Sequence, residues 1–128
     1  MLRVMITVML SISTFICLSQ ESKTACNILK KGKFKYLDAH DTTAYIIMNG
    51  DIQTEYSNNN ADTIESKIKW LTACSYEMTM TRITKPNFPF KPGDVMNVTI
   101  DKIDEDIIYY SATVNESSFQ GRFKKLPY

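Results

Sequence analysis

Apolar and polar residues alternate through many short stretches of this chain, which is the two-residue period of half-buried β-strands. The clearest case runs from Thr63 to Arg82. One face of this stretch collects Ile64, Ser66, Ile68, Trp70, Tyr76, Met78 and Met80. The residues between them are mainly charged or polar, except at a turn near residues 71–73. The pattern predicts a hairpin of two strands at the centre of the core.

Similar but shorter alternations predict six further strands. They cover residues 33–36, 44–48, 52–56, 95–103, 107–114 and 119–126. In the third strand, Ile52, Thr54 and Tyr56 share one face. Asn49-Gly50-Asp51 indicates a hairpin, because Asn-Gly supplies the positive φ angles of a type I′ turn. Residues 84–93 contain three prolines and are predicted to form a long loop.

The number of strands and the short links between them predict the fold class. Eight strands with no amphipathic helix form an all-β protein, and short links make consecutive strands antiparallel neighbours in an up-and-down meander. Eight twisted strands tend to curl, and closure removes exposed strand edges. We therefore predict a small closed or curled barrel, with a two-sheet sandwich as the alternative.

The N-terminus has the layout of a secretory signal peptide. Arg3 precedes the uncharged residues 4–18, which are too few to span a bilayer as a helix of about 20 residues. We expect a signal peptide at residues 1–19, a single β-barrel-like domain at 20–128, and a secreted or periplasmic protein. Ile16 before Cys17 and Lys23 before Cys26 do not fit a lipoprotein anchor, and no transmembrane segment is expected after signal removal.

Two of the three cysteines remain after signal removal, Cys26 and Cys74. An even pair in an oxidising compartment predicts a disulfide bond. The alternative is a pair of free or intermolecular thiols.

The net charge of the chain after signal removal indicates which partners are expected. Without Arg3, 14 basic residues match 14 acidic ones, so we expect no nucleic-acid partner. Lys33 and Lys35 face outward from the first predicted strand, and Arg122 and Lys124 from the last. Closure would join these four into one basic strip, which could contact an anionic glycan, a lipid headgroup or a protein, or could be a solvated face.

Candidate chemistry is sparse. His40 is the single histidine and lies between Asp38 and Asp41, which is the basis for an alternative reading as a hydrolase. Zinc needs three or four His, Cys or carboxylate ligands. We expect no catalytic residues, no metal site and no cofactor.

Large side chains predicted to face the lumen suggest binding. Trp70, Tyr76 and Tyr110 are candidate ligand contacts, and Phe88 and Phe90 in the long loop are a candidate lid or plug at the barrel mouth. An eight-stranded barrel is either filled by side chains or holds one small ligand. The resulting hypothesis is an exported non-enzymatic binding or envelope protein, with a carrier of a small apolar ligand as the alternative.

Several short segments carry a family resemblance: residues 32–36 (GKFKY), 68–70 (IKW), 74–78 (CSYEM) and 92–94 (PGD). Together with Cys26 they resemble a group of small secreted β-rich proteins of flavobacteria and relatives. That group has no established activity, although some members carry an automatic label as DNA topoisomerase IV. Gly32-Lys33-Phe34 is also similar to the Gly-x-Trp of lipocalin-type barrels, with Phe in place of Trp. This second likeness implies a ligand-carrying barrel.

Overall fold

A computed structural model of the chain describes residues 25–127. The predicted signal peptide, residues 1–19, lies outside the described residues. A 3-10 helix at Cys26–Leu29 precedes eight strands: β1 Lys31–Tyr36, β2 Tyr45–Asn49, β3 Ile52–Ser57, β4 Asp62–Thr72, β5 Ser75–Ile83, β6 Val95–Asp104, β7 Ile107–Val114 and β8 Ser117–Leu126. Within residues 25–127, no helix has the length and apolar character needed to cross a bilayer.

The strands form one closed antiparallel barrel in which each strand pairs with the next along the chain. Closure is made by β1 and β8, where Lys33 lies opposite Leu126 and Tyr36 lies opposite Phe123. The predicted meander and barrel are confirmed, and the two-sheet alternative is wrong. Pairing the first strand with the last leaves no strand edge exposed, which a sandwich would not achieve.

The inward faces follow the predicted alternation in the central hairpin. Ile64, Ile68, Met78 and Met80 are buried, and Ser66 is 2% exposed. The turn of this hairpin falls at residues 73–74, just beyond the expected position, because β4 continues to Thr72.

Strand β3 is the exception to the rule that apolar residues face inward. Its buried positions are Gln53 and Ser57, and Ile52 is 42% exposed. The outward Tyr56 stacks on Tyr45 of β2 with 5.1 Å between ring centroids. The rings of Tyr45 and Tyr56 therefore stack on the outside of the barrel, while polar side chains of β3 face the lumen.

The β2–β3 turn differs from the predicted type I′ geometry. Asn49 pairs with Ile52, so the two central residues are Gly50 and Asp51 rather than Asn49 and Gly50. Gly50 has a φ of 66° and Asp51 is not among the residues with positive φ. A type I′ turn needs positive φ at both central positions, so the turn is of another class.

One end of the barrel is sealed by the segment before β1. Leu29 of the 3-10 helix is fully buried in the core. The Lys125 ammonium donates to the Ile28 carbonyl at 2.8 Å, and it lies 5.7 Å from the centre of the Phe34 ring. The predicted Cys26–Cys74 disulfide is confirmed, and it fastens this helix to the β4–β5 turn.

The opposite end is the mouth of the barrel, where the loops at residues 37–44, 58–61 and 84–94 meet. Two of these loops are tied together by Asp41. Its carboxylate accepts hydrogen bonds from the Asn58 backbone N–H at 2.7 Å and from Thr43. Asn58, Asn59 and Asn60 all have positive φ, a conformation that Asn tolerates better than most residues. Asp41 therefore holds an unusual loop backbone in place.

Gly121 makes room for an aromatic stack inside the barrel. Tyr110 lies directly opposite Gly121, and the Tyr110 and Phe123 rings stack 4.3 Å apart. A Cβ at Gly121 would lie 2.6 Å from Cζ of Tyr110, a distance that real side chains do not adopt. Glycine here permits close approach of a ring to the β8 backbone.

The disulfide makes a testable contribution to stability. Cys26 and Cys74 are separated by 48 positions, and closing a loop of that size stabilises a fold by about 4 kcal/mol in the chain-entropy treatment. A Cys26→Ser/Cys74→Ser variant should lose about that much free energy of unfolding in urea denaturation. Wild-type protein unfolded under reducing conditions should behave like the variant, and a loss below about 1 kcal/mol would contradict the expected role.

Gly121→Ala should be destabilising by about 1–3 kcal/mol, because the added methyl group must displace the Tyr110 ring. Thermal or urea unfolding measures this loss. Ser118→Ala in the exposed part of the same strand is the control and should change stability little. An unchanged stability for Gly121→Ala would show that the stacked ring moves freely.

Candidate functional site

The upper part of the lumen, between the core and the mouth, contains a cavity of about 160 Å³. Most of its wall is apolar: Ile64, Met78, Met80, Met96, Val98, Phe119 and Phe123. Its polar lining consists of Tyr36, Gln53, Glu55, Ser66, Tyr76 and Tyr110. Since the 3-10 helix seals the far end, ligand access is confined to the mouth.

Phe88 and Phe90 line this cavity from the β5–β6 loop. Both are half-buried, and their rings meet edge to face at 5.5 Å. The end of their loop is anchored on β5, because Gly93 donates to the Met80 carbonyl at 2.8 Å and Met80 donates to the Asp94 carbonyl at 3.0 Å. The two rings cover the cavity without filling it, a position that suits either a lid or a plug.

Glu55 brings a carboxyl group into this mainly apolar wall. The Tyr36 hydroxyl donates to Glu55 Oε2 at 2.9 Å. Burial raises the pKa of Glu55, while the Tyr36 hydrogen bond and the charge of Lys85 oppose that rise and the charge of Asp41 adds to it. The net upward shift means that desolvation outweighs the favourable contacts of the carboxylate.

Gln53 places a second acceptor on the same face of β3. Its side chain is 5% exposed, and its Oε1 has no hydrogen-bond partner among residues 25–127. Leaving a buried carbonyl unsatisfied costs about 1–3 kcal/mol, so such an atom needs an explanation. Because Gln53 lines the cavity, a bound ligand could provide the missing donor.

Three tyrosine hydroxyls add neutral polar groups. Burial raises the pKa of Tyr110 to about 12, and it also raises the pKa values of Tyr36 and Tyr76 above their ordinary range. All three therefore remain protonated at neutral pH and can donate hydrogen bonds.

The structure separates Trp70 from the other predicted ligand contacts. Tyr76, Tyr110, Phe88 and Phe90 line the cavity, as set out above. Trp70 lies toward the sealed end, half-buried, with its ring 4.9 Å from that of Tyr76 and 5.3 Å from the Lys30 ammonium. Its position indicates a role in packing around the disulfide rather than in binding.

The carboxylates that flank His40 are engaged with other groups. Asp38 accepts two hydrogen bonds from the Arg122 guanidinium, which lowers the pKa of Asp38. The pKa of Asp41 is also lowered, by its hydrogen bonds from Thr43 and Asn58. His40 itself is exposed. Within residues 25–127, no three His, Cys, Asp or Glu side chains are grouped as a metal site would require.

The predicted basic strip forms in part. β1 and β8 are neighbours, and the exposed Lys35 and Lys124 lie directly opposite each other. Lys33 is over the outward Tyr45 ring at 4.3 Å. Arg122 forms an ion pair with Asp38 at 2.7 Å, so its charge is balanced locally. Among residues 25–127, the part of the strip for which no carboxylate partner is found is therefore the three lysines, Lys33, Lys35 and Lys124.

The raised pKa of Glu55 predicts a pH-dependent effect on stability. The folded state holds the Glu55 proton more tightly than the unfolded state, so Glu55 costs stability as pH rises above its ordinary pKa of 4.5, and the cost persists at neutral pH. Glu55→Gln should therefore raise the melting temperature, relative to wild type, more at pH 7 than at pH 4. Glu65→Gln, on the outer face of β4, is the matched control. An equal effect of Glu55→Gln at both pH values would contradict the shift.

No family model, no curated protein and no solved structure matches the chain.

Proposed function

We propose that this protein is a non-enzymatic binding protein that holds one small, mainly apolar ligand in the upper lumen of its barrel. The observation that carries the proposal is the cavity beneath Phe88 and Phe90. An engineered apolar cavity of about 150 Å³ in another protein binds benzene, so a space of about 160 Å³ suits a molecule the size of one aromatic ring.

The composition of the wall supports binding rather than simple packing. Met78, Met80 and Met96 surround the cavity with flexible, polarizable side chains that can adapt to the shape of a ligand. A sealed floor and a single mouth favour retention of the ligand. This arrangement fits the carrier alternative that the lipocalin-like Gly32-Lys33-Phe34 suggested.

Export is part of the proposal. The signal-peptide pattern at residues 1–19 supports it, and the Cys26–Cys74 disulfide is compatible with an oxidising compartment. The protein would then act outside the cytoplasm, as a secreted or periplasmic binding protein.

Toluene titration of the protein with ¹³C-labelled methionine methyl groups tests the cavity. Toluene should shift the methyl resonances of Met78, Met80 and Met96, which line the wall. Ser66→Leu should weaken toluene binding about tenfold or more, because the larger side chain occupies part of the cavity. Lys67→Leu adds the same side chain on the exposed face of the same strand and should leave binding unchanged. Toluene that shifts none of the three resonances would sink the proposal.

Native mass spectrometry of protein purified from its source gives an independent readout. A retained ligand should add mass to the polypeptide and should be released on denaturation. A bare polypeptide mass in every preparation would count strongly against a carrier role.

A further inference from the structure

We propose that the ligand of this cavity is a small protonated amine with an apolar body about the size of one aromatic ring, and that its ammonium group lies against Gln53 and Glu55. This inference rests on the proposed binding function and adds the chemical class of the ligand.

The hydrogen-bond acceptors of Gln53 and Glu55 match the donors of an ammonium group. Gln53 Oε1 is a buried acceptor with no partner among residues 25–127, and Glu55 is an acceptor on the same inward face of β3. Both therefore call for a ligand that donates hydrogen bonds. A primary ammonium group has three donors and no acceptor, so it can serve both residues at once.

The negative charge of Glu55 favours a cationic ligand. Folding has already removed part of the hydration of the Glu55 carboxylate, because Glu55 is half-buried in the cavity wall and burial raises its pKa. A cation that arrives next to it gains attraction in a low-dielectric site with a smaller desolvation cost for the carboxylate. An anionic ligand would meet repulsion from the same group, so the site selects for positive charge.

The aromatic rings that line the cavity also favour a cationic ligand. A cation is attracted to the faces of aromatic rings within about 6 Å, and Tyr36, Tyr110, Phe88 and Phe90 supply such rings around the cavity. At the mouth, the Lys85 ammonium already lies 6.0 Å from the centre of the Phe88 ring.

Other charged groups act on the site as well. Lys85 opposes an incoming cation, Asp41 favours it, and the Tyr36 hydroxyl occupies Glu55 Oε2. The opposing charge of Lys85 therefore belongs to a loop residue at the mouth, whereas Glu55 projects from the strand that forms the wall.

Four probes with the same ring separate charge, polarity and shape: benzylamine, benzyl alcohol, toluene and benzoate. Their dissociation constants are measured calorimetrically on the purified protein at pH 7. Benzylamine should bind at least about tenfold more tightly than toluene or benzyl alcohol, and benzoate most weakly, because a hydrogen bond to a charged group is worth more than one between neutral groups.

Two variants assign the preference to the proposed residues. Glu55→Gln keeps the shape of the side chain and should reduce the ratio of benzylamine affinity to toluene affinity about tenfold. Gln53→Leu should weaken benzylamine and strengthen toluene, since it replaces the unsatisfied acceptor by an apolar group. Glu65→Gln removes an equal charge from the outer face and should change neither.

The outcomes distinguish this inference from the proposed function. Toluene and benzylamine binding with equal affinity would overturn the amine proposal and leave the binding function intact. A preference for benzyl alcohol, or a benzylamine preference that survives Glu55→Gln, would also overturn it. If toluene itself does not bind, the proposed function fails, whatever the other three probes do.

Discussion

The pairing of β1 with β8 is the constraint on which the rest of this structure depends. It converts an eight-stranded meander into a closed barrel and fixes the width of the lumen. It also brings Tyr36 beside Phe123, at the place where the Tyr36 hydroxyl can reach Glu55 across the cavity wall. Without closure, the aromatic stack over Gly121 and the polar pair at Glu55 would face solvent. The same contact thus creates the core and the candidate site.

The two ends of the barrel have different roles, and the difference follows from the chemistry of their residues. At the sealed end, an apolar 3-10 helix, a disulfide and the Lys125 ammonium fill the space and satisfy the carbonyl of Ile28. At the mouth, Asp41 holds two polar loops together, and Phe88 and Phe90 of the proline-rich β5–β6 loop cover the cavity. Because the sealed end is well packed, the upper half of the barrel can remain incompletely packed. Incomplete packing lowers stability, and a small protein can rarely accept that loss throughout its core.

The alternation of apolar and polar residues and the short links were sufficient to predict the strands, the meander and a closed or curled barrel. The disulfide was predicted from the cysteine count and the expected compartment. The site was harder to predict. In β3 the more apolar set, Ile52, Thr54 and Tyr56, faces outward, so the pattern alone gave no reason to place Gln53 and Glu55 inside. The 3-10 helix is too short to show a period. Trp70, the most conspicuous residue of the sequence, lies toward the end of the barrel away from the cavity.

The disulfide has a consequence that reaches beyond stability. It joins the segment before β1 to the β4–β5 turn, so the floor of the barrel is a covalent loop rather than a flap held by contacts alone. In a reducing environment, the same floor would be held by packing of Leu29 and by Lys125. The oxidation state of one bond therefore determines whether the sealed end is held covalently or only by noncovalent contacts, and so how readily that end can open.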